Sequence, residues 1–248
     1  MTLRRNLSDL LFRFLSFFAL IFCLPALGQN LVPNPGFEIL NNCPTGLDQI
    51  DEADDWFSPG TGIADLFNTC AAGNAADVPS NLQGSQTPNG GNGYAGIFVF
   101  GDEDLREYLS VELNSPLEVG TTYCIEYWVS AGDFFGSGIQ DLGFFFSENI
   151  ITSDNDGPLN AVPQFANTNG PIEEATDWVS VSSQFVADAA YQYLTIGNFF
   201  DNANTVGGNS TPGTPFAEEV YYYVDDVSVV AQASPLSYEL TDASCDSE

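Results

Sequence analysis

The segment Tyr221-Tyr222-Tyr223-Val224-Asp225-Asp226-Val227-Ser228-Val229-Val230 constrains the fold more than any other part of the chain. Neighbouring side chains on a strand point to opposite faces, and here both faces are apolar, as in a central strand covered on both sides. Two adjacent aspartates interrupt it, so one of them is expected to point inward. Burying an ionised carboxylate costs several kcal/mol unless it is compensated.

The rest of the chain carries strand signals and no sustained helical period. Strands are expected over Asn30–Leu40, Gly93–Phe100, Glu107–Leu113, Thr121–Ser130, Asp141–Ser147, Trp178–Ala187, Tyr191–Phe200 and Glu219–Val230. Pro33 and Pro35 make the first of these an edge strand. Stretches rich in Gly, Asn and Pro separate them, at 84–92, 153–158, 167–171 and 201–215. The fold class this implies is all-β, an antiparallel sandwich. Alternation sets the faces. Tyr123, Ile125, Tyr127 and Val129 oppose Cys124, Glu126, Trp128 and Ser130, and Val179, Val181 and Phe185 oppose Trp178, Ser180, Ser182 and Gln184. Leu194 and Ile196 oppose Tyr193 and Thr195. The second set in each strand is the more polar one.

Charge removes whole classes of function. The chain has 4 Lys and Arg, 34 Asp and Glu, and no His. Residues 1–28 read as a secretory signal peptide. Arg4 and Arg5 precede the apolar run Leu10–Leu24, and Pro25-Ala26-Leu27-Gly28 ends in a small residue before Gln29. Its removal leaves Arg106 as the sole cation among 33 carboxylates. Nucleic acid and anionic membrane surfaces are excluded as partners, since both are held by Lys and Arg. No later stretch is apolar enough to insert into a membrane, and localisation is expected to be secreted or at the cell surface. Without His there is no Ser-His-Asp arrangement, and neither a CxxC pair nor a Gly-rich phosphate loop occurs. A two-carboxylate glycosidase stays formally open, but among so many acids a pair at ~5–10 Å arises by chance. The chain is therefore expected not to be an enzyme. Arg106 is expected either to pair with Asp102, Glu103, Asp104 or Glu107 or, preferably, to make a buried pair with a core carboxylate.

Cys43, Cys70, Cys124 and Cys245 remain after the leader, and four cysteines allow three pairings. Cys43 and Cys70 flank one loop-rich segment and are the expected bridge. The domain is expected to span 29–231. Residues 232–248 read as a linker and tail, or as the start of a further module of a longer parent chain.

With no Lys or His to meet them, the acids of the first and last segments need another partner. Glu38, between apolar neighbours in Asn34-Pro35-Gly36-Phe37-Glu38-Ile39, and Asp225, with Asp226 as the alternative, are the expected ligands of a structural Ca2+ ion. Oxygen ligands of this kind suit calcium rather than zinc. The opposing reading has Asp225 and Asp226 accept backbone N–H bonds and bind nothing.

Two motifs carry a resemblance. Asn30-Leu31-Val32-Pro33-Asn34-Pro35-Gly36-Phe37-Glu38 resembles the opening strand of jelly-roll carbohydrate-binding modules of the galactose-binding-domain-like group, and Tyr223-Val224-Asp225-Asp226-Val227-Ser228-Val229 resembles their closing strand. The resemblance implies a jelly-roll β-sandwich and a structural calcium served by Glu38 and Asp225. Interior pieces, among them Trp56-Phe57-Ser58-Pro59 and Gly93-Tyr94-Ala95-Gly96-Ile97, resemble secreted surface proteins of Bacteroidetes. Sugar recognition needs aromatic rings beside polar groups. Trp128, Trp178 and Tyr193 on the polar faces, Glu126 beside Trp128, and the loop aromatics Trp56 and Tyr94 are the expected ligand-binding residues. The partner would be a polysaccharide or cell-surface glycan. The competing reading is an adhesion scaffold with no sugar site, and burial of all three tryptophans would favour it.

Overall fold

A computed structural model describes residues 28–136, 138–208, 216 and 218–232. The expected signal peptide up to residue 27, most of the 232–248 segment and Cys245 lie outside the described residues. The described residues form twelve strands: β1 (Trp56–Phe57), β2 (Asp65–Asn68), β3 (Ser80–Asn81), β4 (Gly84–Ser85), β5 (Gly93–Phe100), β6 (Leu109–Glu112), β7 (Thr122–Ala131), β8 (Gly143–Ser147), β9 (Phe165–Ala166), β10 (Val179–Val186), β11 (Tyr193–Gly197) and β12 (Val220–Ala231). They build two five-stranded sheets, ordered β10-β7-β12-β5-β2 and β1-β6-β11-β8-β9, and β3 pairs with β4. Every ladder is antiparallel. From β5 onward the chain places β5, β7, β10 and β12 in one sheet and β6, β8, β9 and β11 in the other. This interleaving is that of a jelly roll.

The strand that is apolar on both faces is central, as its sequence requires. Tyr222 and Val224 of β12 enter the core between the sheets with Ile97, Ile125, Val129 and Leu194. Tyr221 and Tyr223 enter a second apolar layer on the outer face, with Phe67, Tyr94 and Phe135. The segment bearing Ala71, Ala76 and Val78 covers that layer. Each tyrosine hydroxyl finds a partner: Tyr221 donates to Asp65, Tyr222 to the Ile172 carbonyl and Tyr223 to Asn81 Oδ1. The backbones crowd here too. A Cβ on Gly96 would fall 2.0 Å from the Tyr221 hydroxyl oxygen.

The Cys43–Cys70 disulfide closes a loop with a sequence separation of 27 and staples the flank of this outer layer. Loop closure of that length contributes ~3–4 kcal/mol in the chain-entropy model. The bridge fits an oxidising compartment.

The expected strand over Asn30–Leu40 is replaced by successive turns. Its two prolines cannot donate to a ladder, and Asn34 and Phe37 take positive φ, 44° and 58°. The segment lies beside β12. Leu31 N donates to Val229 O, and Val227 N donates to Pro35 O. Phe37 is held in this sparsely populated conformation by burial against Trp56, with ring centroids 4.6 Å apart.

Candidate cation site and candidate ligand surface

The two adjacent aspartates sit at a β-bulge. The β7–β12 register shifts between Asp225 and Ser228, and Asp226 has φ 48°. The extra residue changes which side chains enter the core, from Tyr222 and Val224 before it to Val227 and Val229 after it. Asp225 therefore continues the outer face of Tyr221 and Tyr223, which is itself covered. It is the buried member of the pair, 0% exposed, because the turn at Asn89–Gly90 seals it.

That turn supplies the partner that no basic side chain provides. Asp225 Oδ2 accepts the N–H groups of Asn89 (2.9 Å) and Gly90 (3.2 Å), and Oδ1 accepts that of Asp226 (2.8 Å). Asp226 Oδ2 accepts Asn89 Nδ2 at 2.7 Å. Glu38 is exposed, and its Oε1 accepts the N–H groups of Asn92 (2.7 Å) and Gly93 (2.9 Å). The signal for this was the run Pro88-Asn89-Gly90-Gly91-Asn92-Gly93, whose glycines let successive N–H groups converge on an anion. Burial, and after it the Asp226 charge, still pushes the Asp225 carboxyl up to about 8.

Glycines wall a hollow of about 350 Å³ beside these acids, lined by Asn34, Gly36, Glu38, Gly90, Gly91 and Asp226 among others. A Cβ on Gly36 would stand 3.3 Å from Asp226 Oδ1, 3.5 Å from Asp225 Oδ1 and 3.8 Å from Glu38 Cγ. One on Gly90 would stand 3.1 Å from Asp226 Oδ2. Carboxylate oxygens thus border a hollow whose wall is otherwise mostly apolar, and such oxygens are the donors a hard cation takes. Among the described residues no group of three or more acid, Cys or His side chains stands at ligand spacing. A cation here would complete its shell with backbone carbonyls and water.

The expected ligand-binding residues divide among three places. Trp128 is half-buried on the outer face of β7, opposite Ser180 of β10 on one side and Asp225 of β12 on the other. Glu126, on the same face, lies opposite Ser182 and Ser228 and accepts the Ser180 hydroxyl at 2.5 Å. An open groove of about 370 Å³ continues past Glu126 along Cys124, Ser182, Ser183 and Gln184. Cys124 is a free, half-buried thiol. Trp178 shares the face at a diagonal position but is spoken for. It packs edge-on against Tyr94 at 5.8 Å, and its indole N–H donates to Thr87 O at 2.8 Å.

Tyr193 lies on the other sheet, its hydroxyl 3.3 Å from Glu112 Oε2, away from Trp128. Trp56 is 3% exposed and donates its indole N–H to Asn34 O at 2.9 Å. Tyr94 is fully buried and donates to Gln86 O. These two are corrected to core residues, since a ring with both faces packed offers none to a sugar.

Arg106 is buried at 1% exposure, but not in an ion pair. Its guanidinium donates to neutral oxygens, those of Leu105, Phe200, Asn202 and Thr205, and lies over the Phe100 ring at 5.4 Å. The expected pairing with a carboxylate is replaced by a clamp on loop carbonyls.

No family model matches the chain, and no curated protein does. Among solved structures the jelly roll is similar to the CBM22-1 xylan-binding domain from Paenibacillus barcinonensis Xyn10C. Identity is 14% and the TM-score 0.44, over 84% of this chain and 98% of that one. It is also similar to the N-terminal cellulose-binding domain from Cellulomonas fimi β-1,4-glucanase C, at 13% identity and TM-score 0.40 over 84% and 100%. The K1 cleaved adhesin domain of Lys-gingipain from Porphyromonas gingivalis W83 is similar at 15% identity and TM-score 0.39, over 83% and 100%.

Proposed function

We propose that this chain is a non-catalytic, extracellular carbohydrate-binding-like module, stiffened by calcium, that lays a glycan along the outer face of β7 and β10. The observation that carries the reading is Trp128, a half-buried indole with Ser180 across the ladder and Glu126 and Ser182 next along the same face, where an open groove begins. An indole face stacks on the apolar face of a pyranose, and carboxylate, hydroxyl and amide groups beside it fix the orientation of the sugar. The sole basic side chain of the described residues is buried, so the reading favours an uncharged polysaccharide over a uronate or sulfated one. Glu126 is the one carboxylate lining the groove, where glycoside hydrolysis uses a pair.

The calcium reading rests on the glycine-walled hollow at Gly36 and Gly90, with Asp225, Asp226 and Glu38 as side-chain ligands. The test of the glycan reading is a screen of soluble polysaccharides by affinity electrophoresis. Retardation by at least one neutral glycan, lost in Trp128→Ala, is expected. Retardation unchanged in that variant would remove the strip.

A second reading has its own observation. Loops cap the outer face of β2, β5 and β12, and Tyr108, Leu159 and Phe199 form a further apolar cluster. A module so covered, binding no glycan in the screen, would be an adhesion scaffold that presents further modules.

A further inference from the structure

Strand β10 ends its sheet. It pairs with β7 over eight consecutive residues without a register shift, and among the described residues no backbone hydrogen bond reaches it from the other side. Its sequence, Val-Ser-Val-Ser-Ser-Gln-Phe-Val, contains no charge, no proline and no glycine. Folded proteins blunt an edge of this length with Lys, Pro, a bulge or a covering loop, because unpaired N–H and C=O groups are a template for another strand. None of the first three devices is present in a chain that spends 34 residues on carboxylates elsewhere.

A cleft of about 340 Å³ runs along this edge between β10 and the segment 165–174. Phe165, Ile172, Val179 and Val181 line it beside Asn167, Asn169, Ser180 and Ser182, and Glu173 and Glu174 also border it. We propose that the open edge of β10 receives an extended, basic segment of another protein by strand addition. Backbone groups of that segment would pair with β10. Its apolar side chains would alternate into the cleft while Lys or Arg side chains meet Glu173 and Glu174. A second copy of this chain fits less well, since its own edge brings no cation and its own glutamates would face those of the first.

The test uses the purified full chain and a fluorescent octapeptide of alternating valine and lysine, read by anisotropy. Saturable binding is expected, weakened at least tenfold by N-methylation of alternate peptide amides. The Glu173→Gln/Glu174→Gln double variant should weaken it to a similar degree, and a valine–glutamate octapeptide should not bind. Equal binding of the N-methylated peptide would show mere charge attraction and overturn the proposal, as would the absence of saturable binding. Sedimentation showing that the chain dimerises through this edge would also overturn it, by giving the edge to a second copy.

Discussion

Trp128 stands directly across the β7–β12 ladder from Asp225. The ring proposed to meet sugar and the acid proposed to hold a cation therefore lie side by side on one sheet face, the acid sealed by the Asn89–Gly90 turn. An ion bound beside Asp225 would stiffen the floor on which Trp128 sits. Calcium at one hundred times its Kd would add about 2.7 kcal/mol to stability. For a chain of this size that amounts to a rise in Tm of about 5–10 °C. Differential scanning calorimetry with calcium and then with chelator should show the rise and its loss, and Asp225→Asn should abolish both. A Tm indifferent to chelator would leave the turn N–H groups as the whole compensation of these acids.

Asp65 gives a separate, pH-dependent prediction. It is buried, and accepts the Tyr221 hydroxyl at 2.6 Å and the Asp48 N–H at 2.7 Å. Burial raises its carboxyl to about 6 against these hydrogen bonds, which pull it down. The folded state thus holds a proton that the unfolded chain releases from about pH 4 upward. Stability from this group is present below pH 4 and falls as pH rises to about 6, by roughly 3 kcal/mol at 1.36 kcal/mol per unit. Glu107, raised by burial and by Asp65, pushes in the same direction. Urea unfolding at pH 4 and pH 6.5 measures the drop. Asp65→Asn should flatten the part of the curve that lies in this window.

How far the sequence could be read follows from where its signals were local. The two-faced apolar run 221–230 announced a central strand, and the alternation in 122–131 and 179–186 announced the faces correctly. The short strands β1, β2 and β9 were not legible. Two residues carry no alternation, and Asp65–Asn68 is buried at every position because a loop covers its outer side. At the site, Asp225 and Asp226 were visible as an anomaly. The bulge after Asp225 was not: Asp225 keeps the parity of Tyr221 and Tyr223, and the extra residue that turns Val227 and Val229 into the core is one that composition does not mark. Trp56 and Tyr94, the latter inside the expected strand Gly93–Phe100, were assigned to a ligand surface because the rings that bury them, Phe37 and Tyr223, are distant in sequence.

Arg106 tests what a lone cation does in so acidic a chain. Desolvation lowers its pKa, while the Asp104 and Asp201 charges raise it. Its hydrogen bonds tie Leu105 to Phe200, Asn202 and Thr205. Arg106→Met keeps the bulk and takes the guanidinium donors from the part-buried oxygens of Leu105, Phe200 and Asn202, at a cost of about 2–3 kcal/mol. Arg106→Lys should recover only part of this, because an ammonium cannot present the forked donors to Phe200 O and Asn202 together. Chemical denaturation midpoints decide it. A Met variant as stable as the parent would make the clamp dispensable.

The aromatic residues separate stability from recognition when they are compared as a set. Trp56→Ala empties a buried site between Phe37 and the Asn34 carbonyl, so it should cost about 3–5 kcal/mol and carry any binding loss through unfolding. Trp128→Ala removes a half-exposed ring from the outer face of β7, so it should cost under ~1.5 kcal/mol and weaken glycan binding at least tenfold. Tyr193→Ala alters the opposite sheet and should leave glycan binding intact. Melting curves and binding isotherms on the same three variants read both effects. If Tyr193→Ala lost the glycan while Trp128→Ala kept it, the ligand surface would belong to the other sheet, and the outer face of β7 and β10 would lose its proposed role.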